Sequence, residues 1–131
     1  MSARDQALFR SDLLWGIRFS LSTLWSVDDV RALIESGRPG KRAFALALMK
    51  SRADLAPLDL VLALIETSLS AFEQFHALNL ALDAAPTLDA TQRAQVRAAI
   101  ERERLRHILP DTDRFTLSEH ILRALQESGG E

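Results

Sequence analysis

The apolar positions of this chain recur in a fixed arrangement. Val30-Arg-Ala-Leu-Ile-Glu35, Val61-Leu-Ala-Leu-Ile-Glu66 and Val96-Arg-Ala-Ala-Ile-Glu101 are three versions of one hexapeptide, each with its apolar residues on one helical face. The copies return after roughly 30–35 residues, the period of a helix-pair repeat whose units cover one another's apolar faces.

Around these copies the pattern predicts helices and no strands. Residues 3–24 read as a first helix with two apolar sides, one carrying Phe9, Leu13, Ile17 and Leu24, the other Leu8, Trp15 and Phe19. A terminal helix needs only one, so two sides imply either a helix wedged between other elements or one that lends a side to a partner. Ser26 caps the next helix through Asp29, Trp25 packs on Val30 as a staple, and Gly37 supplies a left-handed stop. Pro39 opens a helix over 39–52, and Pro57 opens another over 57–67. Ser70-Ala-Phe-Glu73 is a capping box for a helix reaching Asp83, and alignment on the hexapeptides sets Phe44 opposite Phe75. Asp89 and Gln92 open a helix over 90–108, ended by Pro110. A second box, Thr116-Leu-Ser-Glu119, opens the last helix, to about Glu127.

The middle copy is the more apolar at two of three matched positions: Asp29, Leu60 and Gln95 form one set, Arg31, Leu62 and Arg97 another, with Asp28, Asp59 and Ala94 the exception. A helix flanked on both sides is apolar nearly all round, whereas outer helices keep a wet face. In period and pattern, residues 26–127 resemble a short HEAT- or armadillo-type array. The resemblance implies an all-α fold of about seven helices in one domain: a capping helix at 1–25, antiparallel pairs at 26–53, 57–84 and 89–127 stacked as a short α-solenoid, and a tail at 128–131. The longer first helix of the third pair, and the loop at 109–115, leave a compact six- or seven-helix bundle as the alternative. Bundles of that kind include the death-like and effector-associated adaptor modules of bacterial signalling proteins.

Composition narrows the chemistry. The net charge is −2 and the chain has no cysteine, which excludes disulfides, a thiolate nucleophile and Cys-ligated metal. Met1-Ser-Ala-Arg is not the start of a signal peptide, and no run of about 18 uncharged apolar residues is present, so a cytoplasmic protein with no membrane span is expected. Glu73-Gln-Phe-His76 has the spacing of a di-iron ligand pair but lacks the second motif such a site needs, since Glu103 and His107 are four apart. Asp111-Thr-Asp113 lacks the rest of a calcium loop, Gly37-Arg-Pro-Gly-Lys-Arg42 lacks the phosphate-loop spacing, and no serine sits in a nucleophile elbow. No catalytic residue, metal or cofactor is therefore expected. Arg38, Lys41 and Arg42 form one basic group; Arg93, Arg97 and Arg104 form another, with Arg102, Arg106 and His107 nearby. They offer a nucleic-acid face as the alternative function, interrupted by Glu101 and Glu103. The recurrent Glu35, Glu66 and Glu101 suggest ion pairs between repeats, with Arg38 or Arg42 in reach of Glu35. The favoured reading is an interaction module that binds a protein partner or a second copy through Leu8, Trp15 and Phe19.

Overall fold

The computed structural model describes residues 24–129. Apart from Leu24, the expected first helix lies outside the described residues. Among the described residues the fold is all-α, with six α-helices and no strand: α1 (Val27–Glu35), α2 (Pro39–Ser51), α3 (Leu58–Glu66), α4 (Ala71–Ala84), α5 (Ala90–Arg104) and α6 (Asp113–Gly129). Short 3-10 turns at Ala53–Leu55 and Ala85–Thr87 follow α2 and α4. The chain divides into two compact units, Met1–Leu60 and Val61–Glu131, with the division inside α3.

In the first unit, α1 packs along α2. The capping box forms as expected: the Ser26 hydroxyl accepts the Asp29 amide at 3.2 Å, and the Asp29 carboxylate accepts the Ser26 amide at 2.9 Å. Val30 and Ile34 form the buried face of α1, and each side chain contributes about 1.5–3 kcal/mol by leaving water. Gly37 ends the turn at φ 70°, its amide donating to the Ile34 carbonyl. Trp25 meets the edge of Phe44, with ring centroids 5.3 Å apart.

In the second unit, α6 lies along α4 and also meets α5. Asp89 and Gln92 form the expected reciprocal box. Ser70 accepts the Glu73 amide, but the Glu73 carboxylate accepts the Leu69 amide, one residue before the cap.

Two boundaries differ from the sequence pattern. The expected helix over 90–108 stops at Arg104, where the amides of Arg106, His107 and Ile108 all donate to the Glu103 carbonyl. Continued helix would have turned His107, two turns beyond Ile100, onto the buried face and swung Ile108 roughly 80° away from it. Breaking the helix instead buries Ile108 completely and leaves His107 exposed. The last helix starts three residues before the expected box: Thr112 is the cap, its hydroxyl accepting the Phe115 amide at 3.1 Å, and Thr116 lies inside the helix.

The hexapeptide copies hold one burial register. Val30, Val61 and Val96 are buried, as are Ile34, Ile65 and Ile100, while the residue after each valine is half-buried. Leu60 is buried, whereas its counterparts Asp29 and Gln95 are exposed. The second helices also correspond, but one residue away from the expected alignment. The connection from α3 to α4 is one residue longer than that from α1 to α2, so Phe44 corresponds to His76 and not to Phe75. The shift aligns Ala45-Leu46-Ala47-Leu48 with Ala77-Leu78-Asn79-Leu80, whose alanines and leucines are buried apart from Ala47's counterpart Asn79. It also aligns Arg42 with Gln74, each the fourth residue of its helix. Both are buried, and both donate to the carbonyl of the hexapeptide isoleucine, Arg42 to Ile34 at 3.0 Å and Gln74 to Ile65 at 2.9 Å.

Candidate functional site

The polar residues that interrupt the apolar stripes of the second unit converge. The buried stripe of α5 runs Val96, Ala99, Ile100, Glu103, so a carboxylate takes a core position at the next-to-last residue of the helix. On α4 the inward row containing Ala77, Leu78 and Ala81 begins with Gln74. On α6 the row of Leu117, Ile121 and Leu125 is preceded, three residues earlier, by Arg114. Buried polar groups need partners, and these find one another.

Gln74 stands at the centre. Its Nε2 donates to the Ile65 carbonyl at 2.9 Å and to Glu103 Oε1 at 2.8 Å, and its Oε1 accepts Arg114 Nη1 at 2.6 Å. Both amide hydrogens and the amide oxygen are engaged, which fixes the orientation of the side chain. Glu103 is fully buried; its Oε1 also meets His107 Nδ1 at 2.9 Å, while Arg106 Nη1 approaches Oε2 at 3.7 Å, beyond hydrogen-bond reach. The turn beyond Arg104 keeps this contact, four residues apart, while leaving the rest of the His107 ring exposed.

These groups floor an open cleft of about 310 Å³, whose walls include Glu66 and the Ser68–Ala71 segment leading into α4. Glu66 is paired with Arg102 at 2.7 Å, which holds the Arg102 guanidinium above its ordinary pKa through that hydrogen bond and charge. The pair joins the ends of α3 and α5. The Ser68 hydroxyl donates to the Leu64 and Ile65 carbonyls, and the Ser70 hydroxyl caps α4, so neither serine faces His107 as a nucleophile awaiting a base.

The sequence-derived candidates fall elsewhere. Leu8, Trp15 and Phe19 lie outside the described residues. Arg42 is buried and bonded to the Ile34 carbonyl, while Arg38 and Lys41 are exposed. Arg93 donates to the Leu88 carbonyl at 2.5 Å, and Arg97 is half-buried. Arg104 donates to the Ser118 hydroxyl at 2.8 Å through Nη2 and stacks over Phe115 at 4.1 Å. Arg42, Arg93 and Arg104 are thus turned toward acceptors within the protein, and no continuous basic row forms from them. His76 of the Glu-x-x-His spacing sits against the rings of Phe72 and Phe75, and Glu73 is fully buried. Among the described residues no group of three ligating side chains is placed to hold a metal ion, and no helix is long and apolar enough to cross a membrane. Of the recurrent glutamates, Glu35 is exposed and Glu66 pairs with Arg102.

Fold and cleft together define an all-α protein with a polar recess set among three helices. No match is found among known protein families, curated proteins or solved structures.

Proposed function

We propose that this chain is a non-enzymatic interaction module, a short array of helix pairs that binds a partner protein or a second copy of itself through exposed apolar surface. The observation that carries this reading is a set of leucines facing water, one of them in the cleft wall and two on the turn that carries the cleft residue His107. Leu105 is 88% exposed and Leu109 61%, on the turn that also carries His107; Leu69, 53% exposed, lines the cleft itself. Two strongly exposed leucines within five residues of one turn are a feature of binding surfaces, where single scattered ones are ordinary. The array is supported by the common burial register of the hexapeptides and by the recurrent isoleucine-carbonyl contacts from Arg42 and Gln74. Two ion pairs on α3 add to it, Arg31–Asp59 at one end and Arg102–Glu66 at the other. The second side of the N-terminal segment, Leu8, Trp15 and Phe19, belongs to the same proposal as a further contact surface.

The test compares the intact chain with a Leu105→Gln/Leu109→Gln variant in affinity purification from the native host, with light scattering on each. A protein that copurifies with the intact chain and is lost from the variant, or a dimer that dissociates, is expected at unchanged helicity. Identical copurification and identical mass for both proteins refute the leucine surface.

A further inference from the structure

We infer that the cleft between α4, α5 and α6 is a receptor for an acidic side chain of the partner, an Asp or Glu presented beside an apolar residue; this rests on the interaction-module reading. The sign of the ligand follows from which charges are accessible. Glu103 lies in the floor but is fully buried, its Oε1 taken by Gln74 and His107, and Glu66 is paired with Arg102. What faces the opening is Arg114, half-buried, and His107, whose side chain is 56% exposed. Arg114 has no carboxylate within ion-pair distance among the described residues; its hydrogen bond goes instead to a neutral amide, the Gln74 oxygen. An arginine held by a carboxylate is already neutralised. One held by an amide is positioned yet keeps its charge and its other donors for a ligand.

The arrangement is stiff where recognition needs stiffness. Gln74 cannot flip without breaking its bonds to the Ile65 carbonyl and Glu103, so the guanidinium is aimed by a buried network. The first turn of α4 contributes to the same wall: Ala71, its first residue, lines the cleft. Leu69 stands beside it, exposed, to receive the apolar neighbour of the acidic residue. A recess of about 310 Å³ admits a side chain and its flanking backbone.

The probes are a short capped peptide carrying one glutamate between two leucines, and its glutamine counterpart. Each is titrated into the full chain while amide signals and the Arg114 side-chain Nε signal are followed by NMR. The glutamate peptide is expected to move Leu69, Ala71 and Arg114 and to bind at least tenfold more tightly than the glutamine peptide. Arg114→Gln is expected to lose that tenfold preference. Ala71→Glu places a carboxylate at the mouth, in a helix position that tolerates negative charge, and blocks the peptide without unfolding the chain. Equal binding of the two peptides, no shifts at millimolar peptide, or a preference that survives both substitutions overturns the inference. Inorganic phosphate and free glutarate are the remaining arms. If either binds as tightly as the peptide, the cleft is a small-anion site and the peptide receptor is overturned. Peptide failure in a protein that still loses its partner with Leu105→Gln/Leu109→Gln removes the acidic receptor alone. Peptide binding in a protein indifferent to those leucines supports the receptor while removing the leucine surface.

Discussion

Replacing Gln74 by leucine tests the network at the cleft floor, because the substitution keeps the approximate volume and deletes every polar contact. Three hydrogen bonds disappear. The bond to the Glu103 carboxylate is the most valuable, about 2 kcal/mol for a buried bond to a charged acceptor. The bond to the Ile65 carbonyl is worth roughly 1 kcal/mol, since the Ser68 hydroxyl also reaches that oxygen at 3.2 Å. Arg114 is half-exposed and recovers water, so its loss adds at most about 1 kcal/mol. The leucine side chain, buried in the same place, returns about 1–2 kcal/mol. The net cost is roughly 2 kcal/mol, and the urea midpoint falls by about 1 M at unchanged slope.

The same loss lowers the melting temperature by roughly 7 °C. The decisive measurement is the double-mutant cycle with Glu103→Leu. Removing either partner alone strands the other, whereas removing both does not, so the double variant is expected to be more stable than the summed single effects predict by about 1–3 kcal/mol. Strict additivity, or a Gln74→Leu midpoint within about 0.2 M of the parent, would falsify the claim that these side chains hold one another.

Arg42→Met is expected to destabilise the protein by roughly 1–2 kcal/mol in urea denaturation, because the Ile34 carbonyl and the negative end of α1 lose their cation. Exposed Arg38→Met should shift it by less than about 0.5 kcal/mol, and equal effects would refute the distinction. Asp54 is held below its ordinary pKa, chiefly by its hydrogen bond from Arg52. A depressed carboxylate stabilises the fold at neutral pH and ceases to do so as the pH falls through its folded value. The difference in urea midpoint between the parent and Asp54→Asn should therefore be present at neutral pH and vanish in acid; a difference unchanged by acid would exclude the pair as its source.

The features legible in the sequence are those whose chemistry is local. Ser26 with Asp29, and Asp89 with Gln92, act within one turn, and Gly37 ends a helix through its own backbone freedom. Of the two misplaced boundaries, the start of α6 turns on which of two threonines caps it, Thr112 rather than Thr116, while the end of α5 is decided by distant packing. Whether α5 continues past Arg104 depends on burying Ile108 rather than His107, and residues 90–108 hold an acceptable helical pattern either way. Arginine direction was equally hidden, because composition counts charges without saying which way they turn. Arg42, Arg93 and Arg104 read as surface base, yet each finds a nearby acceptor. The cleft did leave a signal. Glu103 lies on the same helical face as Val96 and Ile100, and Arg114 on that of Leu117 and Ile121. Charges on core faces of different helices need one another, or a shared partner such as Gln74.

The correspondence between Arg42 and Gln74 shows how one position of a helix pair can serve packing in one pair and, on the proposed reading, a binding cleft in another. Both side chains leave the fourth residue of a second helix and donate to the isoleucine carbonyl of the first helix in the pair. A guanidinium has only donors, so at that position it serves as a cation for the end of α1. An amide supplies donors and an acceptor together. Gln74 therefore bonds the Ile65 carbonyl and Glu103 through nitrogen while its oxygen accepts from Arg114. Putting arginine there would bring two guanidiniums together and remove the acceptor that aims Arg114. The exchange of one donor-only side chain for one that also accepts is what leaves a charged arginine at the cleft, aimed but not neutralised.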